Sequence, residues 1–205
     1  MSALEALYAA ERERIAALAG ESLTGDYANP VFGEGEPNSP VMLIGEAPGR
    51  EEAQLGHPFV GKAGKQLDAL LVYAGIARSS VFVTNAVKFR PTRVKPKSVS
   101  NRTPSRAEAL AALPVMRSEI ALVAPRLIAT LGNTPLASVA RLCGARLPSI
   151  GEAHGRPAFI CIEGIRYTLF PLYHPASGIY DRGLIEVMKE DSLRLGALIR
   201  EGIGL

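Results

Sequence analysis

The stretch Gly45-Glu46-Ala47-Pro48-Gly49 follows the apolar run Val41-Met42-Leu43-Ile44 and decides the fold. A short apolar run that leads into a loop of glycine and proline is typical of a buried strand in an open α/β sheet. Such sheets bind ligands at the carboxyl ends of their parallel strands. A second block, Gly56-His57-Pro58-Phe59-Val60-Gly61, follows close behind. We therefore expect these two segments to form a ligand crevice, with glycines that allow close approach of the backbone.

The rest of the chain alternates between helical and strand patterns. This alternation predicts a three-layer α/β/α sandwich with a central, mainly parallel four-stranded sheet. The length of 205 residues suits one domain over 1–205. Loops are predicted over 20–40 and 88–102, and the second is basic and rich in proline, so we expect it to be functional. Strands are predicted over 41–45, 81–84 and 125–131 and in a hairpin of 158–162 and 167–172. Helices are predicted over 3–19, 63–74, from Thr103 or Ser105 to Ile120 with a kink at Pro114, after Gly132, and over 181–200.

The composition excludes several classes of protein. Hydrophobic residues make up 47% and charged residues 21%, which is ordinary for a globular protein, and a net charge of +3 is only a weak sign of an anionic partner. No segment reads as a signal peptide or a membrane span, so we expect a cytoplasmic protein. The two cysteines, Cys143 and Cys161, are interpreted as small buried hydrophobic residues.

Four segments leave strand ends, namely 45–61, 85–103, 132–135 and 173–180, and should face one crevice. Taken singly, their polar and aromatic residues have ordinary structural explanations, and for His57 and His154 we keep that interpretation. Together, a ring, an amide, an imidazole and a carboxylate are the groups that read a nucleobase extruded from a helix, and cationic side chains suit phosphates. The candidates are Glu46, Phe59, Asn85, Asn101 and His174, with Lys88, Arg90, Arg93, Lys95, Lys97 and Arg102.

Four ordered motifs resemble those of the uracil-DNA glycosylases, most closely family 4, the iron–sulfur branch of that superfamily. The similarity extends from about Val31 to His174. As an ordered set at sensible spacings, the motifs are highly specific. They are Gly45-Glu46-Ala47-Pro48-Gly49, Gly56-x-Pro58-Phe59-Val60-Gly61-x-Ala63-Gly64, Val83-Thr84-Asn85-x-Val87-Lys88 and His174-Pro175-Ala176.

The chain departs from this family at the cluster ligands. The family 4 enzymes hold a four-iron cluster through four cysteines, two of them near the N-terminus. In this chain no cysteine precedes Cys143, and Phe89 and Ala112 occupy the third and fourth positions. The resemblance therefore implies that the iron–sulfur cluster is absent, with apolar side chains filling its volume, and we expect no metal or redox cofactor.

Two further departures concern the reaction. A relative that traps uracil-DNA covalently has a histidine where Asn101 stands, and an amide favours turnover over trapping. The best-known branch has an aspartate and a methyl-blocking tyrosine where this chain has Ala47 and Gly49. Water activation is therefore not assigned to that aspartate position, and the filter against thymine is expected to be looser.

The resemblance implies hydrolysis of the N-glycosidic bond of deoxyuridine in DNA by a monomer. Phe59 would stack on uracil beside Ala47, Asn85 would pair with its N3–H and O4 edge, and His174 would donate to O2. Glu46 would position water and stabilise the cationic sugar. The segment with Ser177, Ile179 and Tyr180 would contact DNA, with Ile179 or Tyr180 as a wedge.

Two other classes of function remain open at this stage. One is a uracil-DNA binding protein with little turnover or with covalent trapping. The other is a Rossmann-like protein that binds a small ligand or phosphate, although the first loop lacks the Gly-x-Gly-x-x-Gly and Walker patterns. Multiple turnovers on uracil-containing DNA would exclude the first class, and salt-sensitive affinity for DNA would argue against the second.

Overall fold

The computed structural model describes residues 1–18 and 25–202. Within this part of the chain, helices and strands alternate as the sequence predicts. In chain order the elements are α1 (Ala3–Leu18), β1 (Gly25–Asp26), β2 (Glu34–Gly35), β3 (Val41–Gly45), α2 (Arg50–Leu55), α3 (Lys62–Ala74), β4 (Phe82–Asn85), β5 (Arg90–Lys95), β6 (Ser98–Asn101), α4 (Arg106–Ala111), α5 (Leu113–Val123), β7 (Leu127–Leu131), α6 (Asn133–Leu142), α7 (Ile150–Ala153), β8 (Ala158–Ile162), β9 (Ile165–Leu172), α8 (Ser177–Tyr180) and α9 (Leu184–Arg200).

The main sheet of the described residues has the strand order β2-β4-β3-β7-β9-β8. Strands β4, β3, β7 and β9 run parallel, while β2 and β8 pair antiparallel at the two edges. The predicted number of four strands was wrong, because the sheet has six. In the parallel register Gly45 lies beside Asn85, and Ile44 lies beside Thr130. The loops that follow these strands therefore start at the same edge of the sheet.

Helices cover both faces of this sheet, which confirms the predicted three-layer α/β/α sandwich. The pleat of β3 sends alternate side chains to opposite faces. Met42 and Ile44 belong to one apolar cluster with residues of α5 and α6, whereas Val41 and Leu43 belong to another with residues of α3 and α9. Both cores are thus built from one short strand that is buried along its whole length.

The basic segment 88–102 was predicted as a loop, and this prediction was wrong for most of its length. Strands β5 and β6 form an antiparallel hairpin in which Val94 pairs with Val99, and β1 pairs with the start of β5. The prolines fit the hairpin because Pro91 faces the two-residue strand β1 and Pro96 lies in the turn. Alternation of Thr92 and Val94 with basic residues is the strand signal that the loop-like composition concealed.

Helix boundaries differ from the predicted ones by a few residues. The predicted helix from Ser105 is interrupted between α4 and α5, just before Pro114, and Ser105 forms the capping box with Glu108. The predicted helix over 181–200 begins three residues later, after the separate short helix α8. Residue 19 and residues 20–24 of the first predicted loop lie outside the described residues. No helix in the described ranges is long and apolar enough to span a membrane.

Candidate active site

A cavity of about 780 Å³ opens at the edge where the parallel strands end. Its walls come from the loop after β3, the start of α3, the end of β4, the β5–β6 hairpin and the segment after β9. The topology was expected to bring the loops after the strand ends together, and 132–135 was expected among them. No residue of 132–135 is part of the lining. The lining includes Glu46, Ala47, Gly49, Glu52, Phe59, Asn85, Arg90, Asn101, Arg102, His174, Ile179 and Tyr180.

Phe59 and Asn85 meet above the last residue of β3. A Cβ atom on Gly45 would overlap with Asn85 Oδ1 and with the ring of Phe59, so only glycine leaves room for both side chains. Phe59 has a left-handed backbone with φ 57°, which a bulky residue adopts only under constraint. Gly64 of α3 packs against the carbonyl of Phe59, where a Cβ atom would clash. The aromatic ring is therefore held in a fixed place at the cavity wall.

His174 follows β9 and reaches the same cavity. Its Nδ1 accepts the backbone N–H of Ala176 at 3.2 Å, which makes Nε2 the N–H donor of the neutral ring. Burial lowers the pKa of His174, and the negative charges of Glu46 and Glu52 only partly oppose that effect. The ring centroid lies 6.4 Å from that of Phe59. The cavity thus contains a neutral imidazole whose only available ring nitrogen is a donor.

Glu46 is held by a contact from the start of α6. Thr134, in the first turn of α6, donates its hydroxyl to Glu46 Oε2 at 2.6 Å. The segment 132–135 therefore does not line the cavity but fixes one oxygen of a carboxylate that does. The other oxygen, Oε1, accepts no hydrogen bond from the residues that the structure describes. It is available to a ligand or to a water molecule.

Glu52 is a site residue that the sequence analysis missed. This residue of α2 lines the cavity, is only 8% exposed and accepts the N–H groups of both Gly49 and Gly61. A glycine followed three residues later by a glutamate is compatible with a helix N-cap, so the spacing Gly49-x-x-Glu52 is the signal that could have identified it. Other polar or charged lining residues that were missed are Arg50, Glu51, Lys62, Ser100 and Thr103.

The predicted DNA-binding role of Lys88 is wrong. Its side chain is fully buried, and Nζ lies 2.5 Å from Glu119 Oε2, 2.6 Å from the carbonyl oxygen of Asn85 and 2.7 Å from Thr84 Oγ1. Burial lowers the pKa of Lys88, and Glu119 opposes that effect. A lysine that is enclosed in this way cannot reach a phosphate at the surface. It supports the strand end that carries Asn85.

The other basic candidates fall into two groups. Arg90 and Arg102 line the cavity, where Arg90 Nε donates to Asn101 Oδ1 at 2.7 Å and Arg102 pairs with Glu108 at 2.7 Å. Burial raises the pKa of Glu108, but the hydrogen bonds from Arg102 and Ser105 together outweigh it and hold this pKa below its usual value. The second group is exposed on the outer half of the hairpin and consists of Arg93, Lys95 and Lys97.

The short helix α8 forms another part of the cavity rim. Tyr180 is 88% exposed and Ile179 44% exposed, which is unusual for such large apolar side chains, and both line the cavity. Ser177 does not line it, and its backbone N–H donates to the carbonyl of His174 at 2.8 Å. The backbone of α8 thus continues directly from the loop that carries His174.

Of the four residues interpreted as structural, the two histidines form ion pairs outside the cavity, and the two cysteines differ from each other in burial. His57 pairs with Glu34 at 2.7 Å, His154 pairs with Asp191 at 2.7 Å, and neither histidine lines the cavity. Cys143 is partly buried, but Cys161 is exposed, so its interpretation as a buried hydrophobic residue was wrong. Cys161 lies on β8, the edge strand that pairs with β9 on one side only among the described residues.

The two positions at which the resemblance places cluster cysteines lie in an apolar cluster. Phe89 and Ala112 are both 3% exposed and pack together with Ile15, Tyr27 and Val115. The rings of Phe89 and Tyr27 are 4.5 Å apart between their centroids. These side chains offer no thiolate, and an iron–sulfur cluster requires thiolate ligands, so the residues present here do not fit such a group.

Comparisons with known proteins agree with this geometry. The chain matches the Uracil DNA glycosylase superfamily over residues 32–192. It is 38% identical over 164 residues to the Type-4 uracil-DNA glycosylase of Saccharolobus solfataricus, with 80% of this chain and 73% of the relative covered. It is 40% identical over 149 residues to that of Pyrobaculum aerophilum (73% and 72% covered) and 32% identical over 175 residues to that of Thermotoga maritima (84% and 84% covered). The chain belongs to the uracil-DNA glycosylase superfamily.

Proposed function

We propose that this protein hydrolyses the N-glycosidic bond of deoxyuridine in DNA and leaves an abasic site, as the names of its relatives indicate for them. The observation that carries the proposal is the convergence of Phe59, Asn85 and His174 with Glu46 in one cavity. A base inside a duplex cannot reach these groups, so the nucleotide has to be extruded before the reaction.

Recognition of the base is assigned to three residues. Phe59 stacks on the flat face of uracil beside Ala47, and Asn85 pairs with the N3–H and O4 edge, since an amide has both an acceptor and a donor. Asn85 is 3% exposed, and its backbone carbonyl accepts a hydrogen bond from Lys88, which holds the end of the strand that carries the side-chain amide. A site built to hydrogen-bond one edge of a base discriminates strongly against bases that lack it.

Departure of the base is assigned to His174. As the bond between N1 of uracil and C1′ of the sugar breaks, its electron pair stays with the base, and negative charge spreads to O2. A neutral imidazole that donates from Nε2 stabilises this charge without giving up its proton. The hydrogen bond from Ala176 to Nδ1 keeps the donor on Nε2. This arrangement requires no metal ion or redox cofactor for bond cleavage.

Completion of the reaction is assigned to Glu46. The sugar is left with cationic character at C1′, which a nearby carboxylate stabilises. A water oxygen then bonds to C1′, and one water proton passes to the carboxylate or to the departing uracil anion. Thr134 occupies Oε2 of Glu46, which leaves Oε1 to hold the water.

Binding of the DNA backbone is assigned to the hairpin and to α8. The exposed side chains of Arg93, Lys95 and Lys97 contact phosphates, as do Arg90, Asn101 and Arg102 at the cavity wall. Ser177 contacts the DNA strand that passes α8, and Ile179 or Tyr180 fills the space that the extruded base vacates. Because one chain builds the whole cavity, we propose that the protein acts as a monomer, on DNA in the cytoplasm.

The decisive experiment measures strand scission by alkali after incubation with an oligonucleotide that contains one deoxyuridine. We expect scission at that position alone, and more product than enzyme when the substrate is in excess. An intact oligonucleotide would contradict the proposed activity. A single turnover with a denaturant-resistant adduct would instead favour the class of uracil-DNA binding protein that traps its ligand. Oligonucleotides with hypoxanthine, xanthine or mismatched thymine define the breadth of substrates.

We also propose that the protein contains no iron–sulfur cluster. The apolar surroundings of Phe89 and Ala112 support this proposal, and the two cysteines of the sequence are fewer than the four that a four-iron cluster uses. The purified protein is expected to be colourless and to contain no bound iron. A brown protein with stoichiometric iron would contradict it.

A further inference from the structure

The two glycine loops of the cavity are joined by one buried carboxylate. Glu52 Oε2 accepts the N–H of Gly49 at 3.1 Å, and Glu52 Oε1 accepts the N–H of Gly61 at 2.8 Å. These glycines are the N-cap residues of α2 and α3, where no side chain of their own can cap the helix. Each oxygen of Glu52 therefore satisfies a backbone donor at the start of a different helix.

Both contacts depend on the absence of side chains at the glycines. A Cβ atom on Gly49 would lie 2.6 Å from Glu52 Oε2, and a Cβ atom on Gly61 would lie 3.0 Å from Oε1. The carboxylate of Glu52 thus contacts the backbone of both loops at glycines, where no side chain intervenes. Hydrogen bonds from N–H groups to a charged acceptor are stronger than neutral ones, particularly where the acceptor is shielded from water.

The two loops carry different parts of the proposed machinery. Gly49 lies three residues after Glu46, whereas Gly61 lies two residues after Phe59, whose left-handed backbone needs outside support. The loops are held relative to each other at one end by the sheet, through Gly45, and at the other by Glu52. Without the second tie, the aromatic ring and the carboxylate could shift independently.

We infer that Glu52 is a positioning residue for the proposed excision reaction, on which this inference rests: its carboxylate couples the loop of Glu46 to the loop of Phe59. It sets the distance between the group that stacks on the base and the group that holds the water. Small displacements of reacting groups are expensive, since a shift of about 1 Å can cost on the order of a hundredfold in rate.

The test compares Glu52→Gln with Glu152→Gln. Glutamine at position 52 keeps one acceptor oxygen but turns an N–H₂ group towards the second glycine N–H, so one tie is lost whichever way the amide points. Glu152 forms the same kind of capping box in α7, with two hydrogen bonds from Ser149, and does not line the cavity. It is therefore the matched control for the loss of a helix cap alone.

For Glu52→Gln we expect kcat on a deoxyuridine oligonucleotide to fall about tenfold to a hundredfold, with KM changed less than threefold. Glu152→Gln is expected to keep both constants. Hydrogen exchange gives a readout that needs no activity: the amides of Gly49 and Gly61 should exchange faster in Glu52→Gln and unchanged in Glu152→Gln. A kcat within twofold of the unsubstituted protein, or an equal loss in both variants, would overturn the inference, as would unchanged exchange at the two glycines.

The two proposals fail in distinguishable ways. If the unsubstituted protein does not excise uracil while the Gly49 and Gly61 amides lose protection only in Glu52→Gln, the proposed function is wrong and the tie between the loops stands. If the unsubstituted protein excises uracil and Glu52→Gln is as active, the function stands and the positioning role is wrong.

Discussion

The imidazole of His174 has one nitrogen to offer a ligand, because Nδ1 accepts the N–H of Ala176. A donor fixed in this way before the substrate arrives needs no reorganisation when charge develops on the base. The backbones of Asn85 and Phe59 are also held in place, the first by the hydrogen bond from Lys88 to its backbone carbonyl and the second by its constrained left-handed conformation. At the scale of single residues, the structure thus fixes the backbone or the ring that carries each of these groups.

Replacement of the donor should therefore affect the chemical step directly. We predict that His174→Ala lowers the single-turnover rate of uracil excision on the order of a hundredfold or more, the usual effect of removing one preorganised donor. His57→Ala is the control, because His57 pairs with Glu34 outside the cavity lining. A nearly normal rate for His174→Ala would contradict the assigned role.

The protonation of His174 also has a predictable dependence on pH. Burial keeps the pKa of His174 below 6.5 in the folded protein, whereas the unfolded chain has the ordinary value of about 6.5. Between these two values the unfolded state binds more protons, so the free energy of unfolding rises with pH through that window. The contribution of His174 to stability is complete above about pH 6.5 and is lost as the pH falls towards the lower pKa of the folded state.

NMR titration of the His174 ring should give a midpoint below 6.5. The variant His174→Asn should lack the corresponding part of the stability change when its thermal unfolding is compared with that of the unsubstituted protein between about pH 5 and pH 7. A midpoint at or above 6.5 would contradict the burial argument.

At the scale of elements, the end of β4 is supported by a buried polar network. Lys88 and Glu119 are both fully buried, Thr84 donates its hydroxyl to Glu119 at 3.1 Å, and Tyr8 donates to the same carboxylate at 2.8 Å. Burial, reinforced by Glu119, raises the pKa of Tyr8, so the phenol stays protonated. The network joins α1, β4 and α5 next to Asn85, the residue proposed to read the base.

Removal of one partner should leave a charge that is buried without its counterion. We predict that Lys88→Met lowers the free energy of unfolding by about 3–5 kcal/mol, measured by urea denaturation. The double variant Lys88→Met/Glu119→Leu should recover much of this loss, because a buried pair can be replaced by apolar residues of similar volume. A loss below about 1 kcal/mol for the single variant would contradict the prediction.

The β5–β6 hairpin is the element through which salt should act on the enzyme. We predict that the triple variant Arg93→Ser/Lys95→Ser/Lys97→Ser raises KM for deoxyuridine DNA and flattens its dependence on salt, since each lost phosphate contact removes about 0.7–0.9 from the logarithmic slope. Steady-state kinetics between about 50 and 200 mM salt measure both effects, and kcat should remain unchanged.

The control for this variant is serine at three exposed arginines that do not line the cavity, Arg141, Arg146 and Arg166. The net charge changes equally in both variants, so an effect of total charge would appear in both. If the hairpin variant and the control have the same salt dependence, the hairpin does not contact phosphates.

At the scale of the whole molecule, the sequence predicts what depends on local signals. Glu46, Phe59, Asn85 and His174 each lie next to an apolar strand or a glycine motif, and parallel strands bring their ends together. Their convergence in one cavity could therefore be expected before the structure was known. The three-layer arrangement followed from the same alternation of patterns.

The remainder depends on partners that are distant along the chain. Lys88 lies in a basic segment and resembles a surface residue. The carboxylate that pairs with it inside the protein belongs to Glu119 on α5, 31 residues away. The edge strand β2 was not predicted because it has only two residues, whereas β8 was predicted as one arm of a hairpin but was not counted in the central sheet. A two-residue strand and a buried ion pair have no periodic signature that a single sequence can display.

Helix α1 lies outside residues 32–192, the part of the chain that matches the superfamily, yet it is part of the support for Asn85. The hydroxyl of Tyr8 reaches Glu119, Ile15 fills the apolar cluster around Phe89, and the ring of Tyr8 stacks on Phe32. A protein shortened to residues 32–192 would lose Ile15 from the apolar cluster. It would also lose the hydroxyl of Tyr8, which donates a hydrogen bond to the buried carboxylate of Glu119. The superfamily match therefore ends before the fold does, because the buried end of β4 also depends on Ala3–Leu18.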